Sequence, residues 1–198
     1  MQKKIVLASQ SPYRKKLLSR LPYPFEAVSP QVNEEELKAQ WLAQKLSADE
    51  LARRLAEAKA RSVVAQYKKE PELLVLGSDQ LLHFQGEIFG KSGSVEKAAE
   101  QLMRLQGHTH ELVTAMCLMD PSSEKTEVWT VRARMFMYPM SEGEIWDYVQ
   151  RDHPIDCAGS YKLEEHGISL FSRIDCEDWT AIEGLGLLSL QQRLRHWN

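Results

Sequence analysis

The 198-residue sequence predicts an α/β fold. Two observations carry that expectation. A short apolar run leads through a turn into a helix start near the N-terminus, and strand-like runs then alternate with capped helical patterns along the chain. No internal repeat, low-complexity tract or linker interrupts them, so residues 1–198 read as one domain, long enough to bury a sizeable core.

"KKIVLA" has strand character, and "SQSP" supplies a turn, a Ser11 cap and Pro12 at the first helical position. Three cations follow, Arg14, Lys15 and Lys16, near the end of a helix where the dipole is itself positive, an arrangement that favours an arriving anion. Ser47 and Glu50 have capping-box spacing, and Leu51, Leu55 and Ala58 continue at helical intervals, predicting a helix over 48–67. "ELLVLGSDQLLHF" holds two apolar runs split by Gly77, Ser78, Asp79 and Gln80, a polar interruption that neither helical nor strand period explains.

Ser94 and Gly107 bracket a further helix. "HELVTAMCLMD" and "TEVWTVRARMFMYP", joined by the turn-like "PSSEK", read as a hairpin. Ser141 and Glu144 repeat the capping box before a short helix that ends near His153-Pro154. Residues 153–178 read as loop-rich, and a last helix covers "LLSLQQRLRHW".

Composition narrows the function classes. A net charge of −3, from 25 basic and 28 acidic residues, argues against a nucleic-acid-coating role while allowing a local cationic pocket. Cys117, Cys157 and Cys176 are odd in number and form no C-x-x-C pair, which suits a reducing compartment. The apolar part of the N-terminus, IVLA, is too short for a secretory signal, and no run approaches the roughly 20 apolar residues of a membrane span. A cytoplasmic protein is expected.

The helix start offers free backbone N–H groups, the hydroxyls of Ser9 and Ser11 and three cations, which together suit a phosphate; capping residues beside solvated lysines remain the plainer alternative. Asp79 is a carboxylate within an apolar segment, costly unless paired, metal-bound or functional, and Gly77 beside it permits a ligand to approach the backbone. Lys59, one position past the apolar face of its helix, and Lys91, after a tight turn, are surface lysines if taken singly, but with Arg14 they suffice to neutralise a polyphosphate. Glu34 is a possible metal-ligating carboxylate or simply an acidic helix start. His108 and His110 share a strand face by spacing, yet no third and fourth ligand accompanies them for zinc.

Taken in order, "LASQSPYRKKLL", "VNEEE", "LAEAKA", "LGSDQ", "GEIFGK", "LQGHTHEL" and "HPIDCAGSYKLEEHGISLF" resemble the Maf family of nucleoside triphosphate pyrophosphatases over nearly the whole chain. The resemblance implies a fold like that of the inosine triphosphatases, with a long mixed sheet and two lobes around a substrate cleft, usually in a homodimer. It also implies cleavage between the α and β phosphates with a divalent metal, magnesium or manganese. Asp79 falls on the catalytic position, Ser9, Arg14, Lys59 and Lys91 on phosphate-binding ones, and Glu34 with Asp79 on the metal. Tyr13, Gln80 and Glu164 stand where the dTTP and UTP branch has arginine, threonine and glutamine, and resemble instead the branch that hydrolyses 7-methyl-GTP.

Base chemistry points the same way. Methylation at ring nitrogen 7 makes guanine cationic; an aromatic face such as Tyr13 then adds about 0.5–2 kcal/mol, and Glu164 can accept from the guanine amine edge while countering the charge. Two positions depart from the family pattern: Asn33 replaces an acid in "VNE", and Gly186 replaces a proline, loosening the turn before the last helix. A pyrimidine or other modified nucleotide as substrate, and a nucleotide-binding regulator of cell division without turnover, are the alternatives.

Overall fold

The computed structural model describes residues 3–67, 70, 72–123 and 125–197. Its strands are β1 (Lys4–Leu7), β2 (Phe25–Ala27), β3 (Leu73–Phe84), β4 (Glu87–Phe89), β5 (Thr109–Met119), β6 (Thr126–Met137) and β7 (Phe171–Cys176). They form one mixed sheet in the order β2-β1-β3-β5-β6-β7, with β4 joined to β3 off that path. The helices are α1 (Pro12–Leu18), α2 (Glu34–Ala43), α3 (Ala48–Val64), α4 (Val95–Leu105), α5 (Glu142–Asp152) and α6 (Leu187–His196).

Strand β3 organises the molecule. Along one edge it pairs antiparallel with β5 from Val75 to His83. Along the other, β1 runs parallel beside Leu73–Leu76 and β4 antiparallel beside Leu82–Phe84. Between those partners Gly77–Leu81 have no neighbouring strand on that edge, and the sheet opens. The two apolar runs of the sequence are therefore one twelve-residue strand, and its polar interruption marks the gap.

Alternation along β3 gives each face its own cover. Leu73, Val75 and Leu81 join Leu51, Leu55, Ala56, Ala60 and Val63 of α3 in one buried cluster, while Leu74 and Leu76 join Leu17, Leu18, Leu187 and Leu190 of α1 and α6 on the other face. A third cluster, with residues of β4, α4, α5, β7 and the far ends of β3, β5 and β6, forms the second lobe. Gly77 has a specific reason: a Cβ there would run into the Ala56 carbonyl and lie 2.9 Å from the Ala60 amide nitrogen. What approaches this backbone closely is thus helix α3, rather than the ligand expected from the sequence.

Several elements differ from the sequence expectations. Strand β7 and a 3-10 turn at Gly167–Leu170 lie inside the stretch read as loop; β7 is an edge strand whose exposure, from Phe171 onward, does not alternate, and its register with β6 shifts at Phe136/Met137. Strands β2 and β4 are three residues each, too short to show a period. Helix α2 buries no residue fully, so its sequence has no apolar stripe to read; Asn33 caps it, its side chain accepting from the Glu36 N–H. Helix α1 is only seven residues long, which puts Lys15 and Lys16 in its last turn, where cations are favourable. His108 precedes β5 and is exposed, whereas His110 is buried, so the two do not share a face.

The hairpin of β5 and β6 forms as expected, with Glu124 of its turn outside the described residues. Ser11, Ser47, Ser94 and Ser141 all cap helices, two of them in complete capping boxes. Gly186 does not loosen its turn. A Cβ there would lie 2.7 Å from Asp178 Oδ2, and the turn is tied by Ser189 N–H donating to that carboxylate and Leu187 N–H to Thr180 Oγ1.

Because α3 is seated against a bare backbone, Gly77→Ala should lower stability by about 1–3 kcal/mol, the usual penalty for overpacking. Urea unfolding followed by circular dichroism measures it; an unchanged midpoint would mean that the helix does not bear on this strand.

Candidate active site

The gap beside β3 opens into a cleft of about 680 Å³ between the two lobes, within the range of small-ligand sites. Its walls include Ser9, Tyr13, Arg14, Glu34, Lys59, Asp79, Gln80, Lys91 and Glu164, every site residue singled out in the sequence. They come from the loop after β1, the helices α1, α2 and α3, the open stretch of β3, the segment after β4 and the loop before β7. The chain separates these residues; the sheet gap gathers them.

At the floor lies an ion-paired triad. Lys59 Nζ is 2.7 Å from Asp79 Oδ1 and 2.9 Å from Glu34 Oε2. Lys59 and Asp79 are each only 4% exposed. Lys59 belongs to the buried stripe of α3, four positions after Leu55, rather than lying past it as expected, and that spacing was the signal available in the sequence. Desolvating such charges costs several kcal/mol per ion, and close opposite charges offset it. Burial acts to raise the Glu34 carboxyl, but the charge and hydrogen bond of Lys59, aided by Lys38 and Arg14, hold it below the usual carboxylate range.

The second oxygen of Asp79, Oδ2, is buried with no hydrogen-bond partner among the described residues. A buried carboxylate oxygen left in this way needs a proton, a water or a cation. The donor set fits a divalent metal only in one manner. No group of three or more His, Cys, Asp or Glu able to hold a metal is found among the described residues, so the chain itself offers Asp79 and Glu34. One or two carboxylates completed by phosphate oxygens and water is how magnesium is commonly bound.

Arg14 stands behind this floor. Its Nε donates to the Gly184 carbonyl at 3.0 Å and its Nη1 to Ser9 Oγ at 3.4 Å. Burial pulls the guanidinium down from its ordinary value, while Asp79 and Glu34 push it up; it stays charged. Lys91 is exposed at the rim, bridged through its backbone to Ala158. Lys15 is not in the cleft wall; it donates to Gln10 Oε1 at 2.7 Å, and Gln10 lines the cleft.

The other end of the cleft is built differently. Burial, with Cys157 and Asp156, pushes the Tyr13 phenol up, against the effect of the Lys162 charge. Lys162 also lies 3.7 Å from Asp156. Burial raises the Glu164 carboxyl, with Glu183 adding to the shift and Lys162 opposing it. The Gln80 amide nitrogen is 2.9 Å from both Thr114 Oγ1 and the Ala181 carbonyl and 3.0 Å from the Ile182 carbonyl. Its donors are thus spent on protein.

Lys38, Asp156, Lys162 and Glu183 escaped the sequence reading. Lys162 and Asp156 lie within the stretch "HPIDCAGSYKLEE", where their density beside Glu164 was the available signal; Lys38 and Glu183 had none. Two tempting groups have shifted protonation. Burial pushes the Cys157 thiol up to about 12, and it holds His110 neutral, down at about 4, with Nε2 against the Tyr161 hydroxyl at 2.9 Å. As a whole the site can grip an anionic chain at one end, activate a water at its floor and surround a ring at the other.

A family model described as Maf-like protein matches residues 4–197. A 7-methyl-GTP pyrophosphatase of Bdellovibrio bacteriovorus is 47% identical over 197 residues, covering 100% of this chain and 98% of that protein. Proteins of the same name from Pseudomonas aeruginosa and Aromatoleum aromaticum are 38% and 40% identical, covering 96% and 97% of this chain and 94% of each of theirs.

Lys59→Met leaves two carboxylates facing each other without their cation and should cost about 3–5 kcal/mol, as does breaking other buried pairs. Asp79→Asn keeps the Glu34 partner and should cost clearly less. Denaturant unfolding of both variants checks the order; equal losses would show that Glu34 contributes nothing to the triad.

Proposed function

The chain belongs to the Maf family, and from that premise we propose that it hydrolyses the α–β phosphoanhydride of 7-methyl-GTP, giving 7-methyl-GMP and pyrophosphate. The observation that carries this reading is Asp79: a buried carboxylate at the opening of the sheet, paired through one oxygen and unpartnered at the other, in a cleft that Arg14, Lys38, Lys59 and Lys91 also line.

In this mechanism the triphosphate lies along Ser9, Arg14, Lys59 and Lys91, whose charges and hydroxyl neutralise its oxygens. Asp79 Oδ2 accepts a hydrogen bond from a water, orients it in line with the bond to be broken and takes its proton as the oxygen attacks phosphorus. The α–β anhydride bond breaks on the opposite side and pyrophosphate leaves. Glu34 and Asp79 would hold a magnesium or manganese ion together with phosphate oxygens, and that ion supplies stabilisation of the negative charge developing on them. Arg14, already anchored on Gly184 and Ser9, needs little reorganisation to meet that charge.

Tyr13 and Glu164 take the base. One added methyl gives an apolar pocket only about 1–3 kcal/mol of discrimination, so the positive charge of the methylated ring is the larger handle. Glu164, whose ionised form burial disfavours, gains most from a cationic neighbour. In this proposal residues 1–198 act as one Maf-like domain, in a homodimer, in the cytoplasm. Among the described residues no helix is long and apolar enough to cross a membrane.

Pyrophosphate release from 7-methyl-GTP, GTP, dTTP and UTP, with magnesium and with manganese, should favour 7-methyl-GTP; a preference for either pyrimidine nucleotide overturns the substrate assignment. Asp79→Asn should stay folded and lose at least about a hundredfold in turnover, the range for a general base, and wild-type-like turnover removes Asp79 from the reaction. Glu164→Gln should shrink the preference for 7-methyl-GTP over GTP, read as the ratio of their kcat/KM values.

A further inference from the structure

The turn that closes the base end of the cleft is fastened to the sheet from below. Gln80 donates to the Ala181 and Ile182 carbonyls, and Thr114 Oγ1 donates to Ala181 at 2.8 Å. Ser78 Oγ donates to the Gly184 carbonyl at 2.9 Å, the same oxygen that receives Arg14 Nε. Gly184, at φ 105°, adopts the left-handed conformation that ends this turn. Between the fastened carbonyls of Ile182 and Gly184 stands Glu183, the charged residue of the turn, partly exposed on the cleft wall. Neither Glu183 nor Glu164 has an ion-pair partner among the described residues.

We propose that Glu183 is a second specificity carboxylate for the cationic base, and that Gln80 acts through it as a positioning residue, by holding the 181–184 turn at the cleft wall. This rests on the 7-methyl-GTP reading above. The chemistry needs two acids. The N1–H and 2-amino donors of guanine satisfy one carboxylate, and the charge on a ring methylated at nitrogen 7 answers another. Plain guanine brings the donors without the charge, which leaves two like charges close together in a partly dehydrated cleft. Glu183 already acts on Glu164 in this sense, adding to the upward shift that burial begins. A Gln80 whose amide donors are engaged by three protein oxygens has none left for a base, so its influence on selection runs through the turn that it holds.

The test is calorimetric binding of 7-methyl-GMP and of GMP to the full-length protein and to Glu183→Gln, Gln80→Met and the double variant, with thermal unfolding as the check on folding. Wild type should prefer 7-methyl-GMP. Glu183→Gln should reduce that preference about tenfold, the low end for a mismatched pocket contact. Gln80→Met should reduce it too, and the double variant should lose no more than Glu183→Gln alone, because the two act as one unit. A wild-type preference that survives Glu183→Gln overturns the role of Glu183, and additive losses in the double variant overturn the route from Gln80 through the turn. A wild type indifferent to the methyl group overturns the substrate reading itself, and this proposal with it.

Discussion

A lysine and an aspartate with almost no access to water lie 2.7 Å apart where the central strand has no neighbour between β1 and β4. The rest of the molecule is arranged around holding that pair in place at the floor of the cleft. Helix α3 presents Lys59 from a stripe otherwise made of alanine, leucine and valine, and it reaches the strand because Gly77 has no side chain to hold it off. Ordinary surface ion pairs contribute little, since water competes for both partners. Here burial limits that competition, so position and charge are set together.

The gap in the sheet solves a general problem of burying polar chemistry. Backbone groups in a core must be paired, and β3 keeps its ladder with β5 from Val75 to His83 while its opposite edge is released for five residues between β1 and β4. The strand thus stays anchored while its polar side chains leave it on both faces: Asp79 toward α3, Ser78 and Gln80 toward the turn at 181–184. Crevices where neighbouring strands part are where open α/β sheets usually bind ligands.

That turn joins the two ends of the site. The Gly184 carbonyl takes Arg14 from α1 and Ser78 from the sheet, and its neighbours take Gln80. Arg14 and the stretch of cleft wall from Ile182 to Gly184 therefore share one piece of backbone. Helix α2 contrasts with it: it carries Glu34 to the triad but buries no side chain fully, with Leu37 and Trp41 only partly packed against the core.

The sequence by itself determined the local events. Capping serines, the β5–β6 hairpin, the helix over α3 and the odd placement of a carboxylate in an apolar strand all depend on near neighbours in the chain, and each was legible for that reason. The ordered motifs carried the family because side chains from seven separate segments are hard to match together by chance. What tertiary structure decided were the features whose cause lies far along the chain: the depth of Lys59, the cramped backbone at Gly77 and Gly186, the edge strand β7, and the placing of Lys38, Asp156 and Glu183 around the cleft. The α1 cations illustrate the division. Their charge was visible, but only the helix's short length and the contact from residue 14 to residue 184 showed which of them faces the cleft, because pairing across that distance is fixed by how the sheet folds and not by spacing along the chain.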